Sequence, residues 1–147
     1  MLRDQLTTVC RLAERREKEA GTRLSRAHVE LASAESTLAQ IVEYREDYYR
    51  LATGGSGKLT GVHQLESARY FLSQLDKMAA KQRSAIQQSE LALDHHRTSW
   101  VTAKRRLTAI EKLRAQRQKT RSITNEKRQQ RFLDELHSLK TNFLQRV

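Results

Sequence analysis

Proline is absent from all 147 residues, so no position obliges the backbone to give up a helical hydrogen bond. Glycine is almost as scarce, and four of the five fall in one stretch, Gly54-Gly55-Ser56-Gly57-Lys58-Leu59-Thr60-Gly61. This is the one strong break in the chain. A sequence rich in Ala, Leu, Glu, Lys, Arg and Gln with a single break of this kind has the composition of long uninterrupted helices.

Hydrophobic spacing says how the two halves meet. Before the break, residues seven apart form the series Leu6, Ala13, Ala20, Ala27, Ala34, Ile41, Tyr48, accompanied by Cys10, Glu17, Leu24, Leu31, Leu38, Arg45. After it come Leu65, Leu72, Ala79, Ile86, Leu93, Trp100, Leu107, with Ala68, Leu75, Gln82, Ser89, His96, Ala103, Ile110. Alternating steps of three and four suit a coiled-coil stripe and no strand, and the strict seven-residue period implies a left-handed supercoil. The expectation is an all-α fold, a single domain over residues 1–147. It is a long two-helix antiparallel coiled-coil hairpin, with helices at about 3–52 and 62–145 and a Gly-rich tip at 53–61. The core falls on Leu24, Leu31, Leu38, Ile41, Leu65, Leu72, Ile86, Leu93, Trp100 and Leu107.

A short connection makes the helices antiparallel neighbours, with facing residue numbers summing to roughly 116. Trp100 then lies near Ala13, Glu17 and Ala20, whose small or slender side chains leave room for an indole. At ~1.5 Å per residue the helices measure ~75 and ~125 Å, so the second overhangs. Beyond Leu113 the stripe positions become Arg114, Arg117 and Arg121, and the seam fades. A new apolar set follows at Phe132, Leu133, Leu136, Leu139, Phe143, Leu144 and Val147 with no partner inside the chain, which makes it a docking face or a frayed tail.

Charge is unevenly placed. Residues 1–53 hold 9 basic and 9 acidic side chains, residues 54–96 hold 5 and 4, and residues 97–147 hold 14 and 4, so the overhanging end carries ten of the eleven excess positive charges. That end seeks an acidic surface. Cys10 is the lone cysteine, which excludes an intrachain disulfide and suits a reducing compartment. No apolar signal core occupies the first twenty residues, and no run of eighteen apolar residues occurs, so a cytoplasmic setting is expected.

Little in the sequence suggests chemistry, and neither an enzyme nor a cofactor site is expected. Gly57-Lys58 resembles part of a phosphate-binding loop, but Leu59 stands where Ser or Thr is needed and Ala52 where the first glycine belongs. His95 and His96 are adjacent on a helix, point apart and have no third ligand nearby. Glu43, Glu46 and Asp47 lie among Arg45 and Arg50 on a solvated face, and Cys10 occupies a stripe position as a small core residue. The basic run Lys104, Arg105, Arg106, Lys112, Arg114, Arg117, Lys119, Arg121, Lys127, Arg128, Arg131 can attract phosphates. No aromatic lies between Trp100 and Phe132 to stack on bases, which makes nucleic acid a disfavoured biological partner. Phe71 and Met78 stand one position before stripe residues and seven apart; with Leu75 and Gln82 they form a ridge. Either Phe71 widens the core beside Tyr48, Tyr49 and Tyr70, or the ridge docks a partner.

Taken in order, Tyr44-Arg45-Glu46-Asp47-Tyr48 before the Gly-rich tip, Tyr70-Phe71-Leu72-Ser73-Gln74-Leu75 after it, and Trp100 followed by Lys104-Arg105-Arg106-Leu107 give the chain its resemblance. It resembles the FliJ family, the small coiled-coil component of the bacterial flagellar type III export apparatus, over essentially its whole length. The equivalent stalk protein of virulence secretion systems shares that architecture and stays open as a relative. The resemblance implies a non-enzymatic stalk that enters the ring of the hexameric export ATPase and contacts the cytoplasmic domain of the membrane export-gate protein. It thereby couples ATP hydrolysis to subunit export at the inner face of the membrane. Export chaperones are implied as further partners, and no small-molecule substrate. Carried over by position, the gate-contacting ridge is Phe71, Leu75, Met78 and Gln82. The ring-facing basic end is Lys104, Arg105, Arg106, Lys112, Arg114, Arg117, Lys119 and Arg121.

Overall fold

The structure is a computed structural model that describes residues 2–53 and 61–146. Two helices account for nearly all of them, α1 (Leu2–Thr53) and α2 (Val62–Gln145). Residues 54–60 of the expected glycine tip lie outside the described residues. Gly61 caps α2, its carbonyl taking the Leu65 N–H at 3.0 Å in the first helical bond. The helices pack against each other antiparallel, the all-α hairpin that one break and two heptad stripes dictate.

Burial follows the stripes. Cys10, Ala13, Ala20 and Ala27 on α1 and Ala68, Leu75, Ala79 and Leu93 on α2 are buried, and all eight are stripe positions. Leu24, Leu31, Leu38, Ile41, Leu72, Ile86, Trp100 and Leu107 are half-buried. The difference is geometric. A two-helix seam has water along both flanks, so an alanine disappears beneath its neighbours while a longer side chain extends past the contact line. Leu65, expected in the core, is instead 37% exposed. The α1 residues described opposite it are in the last turn before Thr53, where Leu51 is itself 51% exposed.

Two compact units divide the chain, Glu17–Thr102 and the combination of Met1–Arg16 with Ala103–Val147. Within Glu17–Thr102 the register is fixed by polar groups that reach across the seam. The Trp100 indole N–H donates to Glu17 Oε1 at 3.0 Å, and the Gln82 amide donates to the Ala34 carbonyl at 2.9 Å. Gln82 and Ala34 stand at the expected sum of roughly 116. Trp100 also lies over Gly21, where an added Cβ would meet Nε1 at 3.4 Å. The Arg45 guanidinium donates to Asp76 on the flank.

In the other unit Arg114 donates to Cys10 Sγ at 3.7 Å while the thiol donates to Glu14 at 3.7 Å. Cys10 is thus a small buried residue tied at both sides. Ile110 is the last half-buried position on α2, and every residue from Glu111 to Arg146 is exposed.

Candidate interaction surfaces

Five of the eight aromatic residues, Tyr44, Tyr48, Tyr49, Tyr70 and Phe71, fall where α1 ends and α2 begins. Tyr44 and Tyr48 are four apart on α1 and share a face. Both reach Phe71: the Tyr48 ring lies 4.6 Å from it at 55°, and the Tyr44 ring 6.0 Å away at 78°, edge to face. Such geometry adds to simple area burial, roughly 0.5–1.5 kcal/mol per pair. Phe71 is thereby half-buried. Beside it Tyr48, His63, Glu66, Ser67 and Tyr70 complete the lining of an open groove. Tyr70, at the groove, stays 68% exposed, and Tyr44, on the other side of Phe71, 54%.

The expected ridge of Phe71, Leu75, Met78 and Gln82 divides in two. Leu75 is 4% exposed and Gln82 turns its amide inward to Ala34, so both belong to the helix–helix seam. Met78, 51% exposed, and the outer edge of Phe71 are what the ridge offers to water. The reason lies in the heptad. Leu75 and Gln82 occupy stripe positions, whereas Phe71 and Met78 each stand one residue before a stripe position, on the flank. Nearby, Asp76 first by its hydrogen bond and then by its charge holds the Arg45 guanidinium above its ordinary value. Both side chains are substantially exposed, so this pair orients the surface and contributes little to stability.

The basic residues belong to the other unit. Lys104, Arg105, Arg106, Lys112, Arg114, Arg117, Lys119 and Arg121 are all exposed. Among the described residues, none of Arg105, Arg106, Lys112, Arg117, Lys119 and Arg121 takes part in an ion pair. Arg114 and Arg121 share a shallow recess with Leu6, Thr7 and Gln118. Arg105, Arg106, Lys112, Arg117, Lys119 and Arg121 are thereby open to an acidic partner.

Among the described residues no group of three or more His, Cys, Asp or Glu side chains is placed to hold a metal ion. His95 and His96 have ring centroids 5.5 Å apart at 61°. Glu43, Glu46 and Asp47 are exposed, and Glu46 engages Arg50 at 3.8 Å along the helix. Among the described residues no helix is long and apolar enough to cross a membrane.

A family model described as Flagellar FliJ protein matches residues 2–142. No curated protein and no solved structure matches the chain.

Proposed function

The chain belongs to the FliJ family of flagellar proteins, a component of the flagellar export apparatus, and on that premise we propose that it is a non-catalytic coupling stalk. Its basic end engages the ring of the export ATPase, and its Phe71 and Met78 flank contacts the cytoplasmic domain of the export gate. Leu75 and Gln82 support that flank from within the seam. The observation that carries this reading is the continuation of α2 beyond Ile110 as helix with every side chain exposed and a large basic excess. An unpaired helix of this length is costly to hold without a partner, since most helical stability comes from packing. A ring lumen lined with carboxylates supplies both the enclosure and the countercharge. The same end offers export chaperones an apolar strip from Phe132 to Leu144, and the work is done at the cytoplasmic face of the membrane.

The test measures turnover of the cognate export ATPase with and without this protein. Stimulation by the wild type, lost in a variant carrying Arg114→Glu, Arg117→Glu and Arg121→Glu, supports the reading. Equal turnover in all three conditions sinks it. For the other contact, Phe71→Ala with Met78→Ala lowers affinity for the gate domain about tenfold while leaving ATPase stimulation intact.

A further inference from the structure

Within Glu17–Thr102 the two edges of the seam differ in chemistry. A two-stranded coiled coil with water on both sides usually carries charged side chains beside both edges of its stripe. Along one edge of α2 that holds: Arg69, Asp76, Arg83, Glu90 and Arg97 stand seven apart, every one is charged, and Asp76 meets Arg45 across the seam. Along the other edge the residues seven apart are Phe71, Met78, Ala85, Ala92 and Ser99, none of them charged. The ring contact between Phe71 and Tyr44 shows what this second edge faces on α1. In the same register Ala85 faces Glu30 and Ala92 faces Arg23, and all four line one groove of about 450 Å³. Ala27 and Ser89 form its floor, and Arg26 continues its α1 wall. The groove exists because the projecting side chains at 71 and 78 give way to alanine at 85 and 92, and both alanines are exposed. Among the described residues none of Arg23, Arg26 and Glu30 takes part in an ion pair, so their charges are free to meet a partner.

We propose that this groove continues the Phe71 and Met78 flank as one docking surface, ~32 Å long from residue 71 to residue 92, and that its occupant is an amphipathic helix of the export-gate domain. The proposal rests on the gate contact argued above. Spacing identifies the occupant as a helix: positions seven apart, large in the first half and small in the second, suit a third strand of a left-handed coiled coil. Phe71 and Met78 project between its side chains, and the space above Ala85 and Ala92 receives side chains from it. Charge identifies its chemistry. The part beside Ala92 carries carboxylates for Arg23 and Arg26, and the part beside Ala85 carries none, because Glu30 stands there. Continuity of the edge makes the gate domain the source, since the same face already offers Phe71 and Met78.

The experiment is maleimide labelling of the full-length chain carrying Ala92→Cys, with and without the cytoplasmic domain of the export gate, and with affinity measured by calorimetry and helicity by circular dichroism. Cys10 is 1% exposed, so it does not compete for the reagent. Gate domain at about ten times its dissociation constant slows labelling about tenfold, whereas Glu90→Cys, on the charged edge, labels at the same rate in both conditions. Ala92→Gln, which fills the groove without adding charge, weakens gate binding about tenfold at unchanged helicity, as does Arg23→Glu with Arg26→Glu. Suppose wild type binds the gate domain and Phe71→Ala with Met78→Ala weakens it, but Ala92→Cys labels as fast in the complex as alone. The groove then lies outside the contact and the proposal fails while the gate reading stands. Affinity indifferent to the paired arginine reversal overturns the acidic helix. Protection that grows with the concentration of the isolated chain identifies a second copy as the occupant and overturns the gate helix. A wild type that does not bind the gate domain removes both the proposal and the reading beneath it.

Discussion

Gly21 sits beneath the Trp100 indole without being required there. An added Cβ would make ordinary contact at 3.4 and 3.5 Å, and the position is mid-helix, where glycine costs roughly 0.5–1 kcal/mol relative to alanine. Gly21→Ala should therefore raise the unfolding free energy by about that amount, read from the urea midpoint at constant slope. Gly21→Leu should lower it, because the longer side chain displaces the indole from Glu17. Gln82 invites a second substitution. Its amide bonds to the Ala34 carbonyl, which lies in mid-helix and already accepts a helical N–H, so removing the amide orphans nothing. Gln82→Leu is expected to be neutral or stabilising by up to about 1 kcal/mol, whereas Leu75→Ala in the same stripe costs about 2–4 kcal/mol by leaving a cavity. A large loss from Gln82→Leu would mean that the amide satisfies a group other than the Ala34 carbonyl.

Each helix is half seam and half something else, and the sequence discloses the two halves unequally. The seam is legible because a 3,4 stripe survives any detail of packing: Cys10, Ala13, Ala20, Ala27, Ala68, Leu75, Ala79 and Leu93 are buried where the heptad sets them. Leu65 departs from it because a periodic pattern carries no information about where the opposing helix runs out. The ridge is narrower than its sequence neighbourhood suggests for a related reason. Leu75 and Gln82 are close in sequence to Phe71 and Met78, but a heptad separates them onto different faces, and only the positions before the stripe look outward. What covers those outward positions depends on another chain's surface, which no periodicity in this one encodes. The contrast along α2 is measurable. Amides of residues 68–110 should exchange with solvent slowly, protected by the seam, while those of 111–145 should exchange at rates close to those of an isolated helix. Uniform protection along α2 would show that its exposed part is already packed in the free protein.

For the whole molecule the decisive quantity is how charge is divided from stability. Residues 114–147 contain nine basic and three acidic side chains, so a chain ending at Leu113 keeps five of the eleven net positive charges. It loses little buried surface on α2, where Ile110 is the last half-buried position, and it forfeits the bond from Arg114 to Cys10. Stability and binding should therefore separate on truncation. The shortened chain is expected to unfold within about 0.5 kcal/mol of the full one, the usual range for losing exposed groups. It should retain the Phe71 and Met78 contact while failing to stimulate the ATPase. Binding of the full chain to an acidic ring should also weaken as salt rises, since the basic side chains are exposed and screened within about 10 Å at 0.1 M. If the truncated chain still stimulates turnover, the basic helix is not the coupling element, and the shared face of α1 and α2 below Leu113 must carry that contact instead.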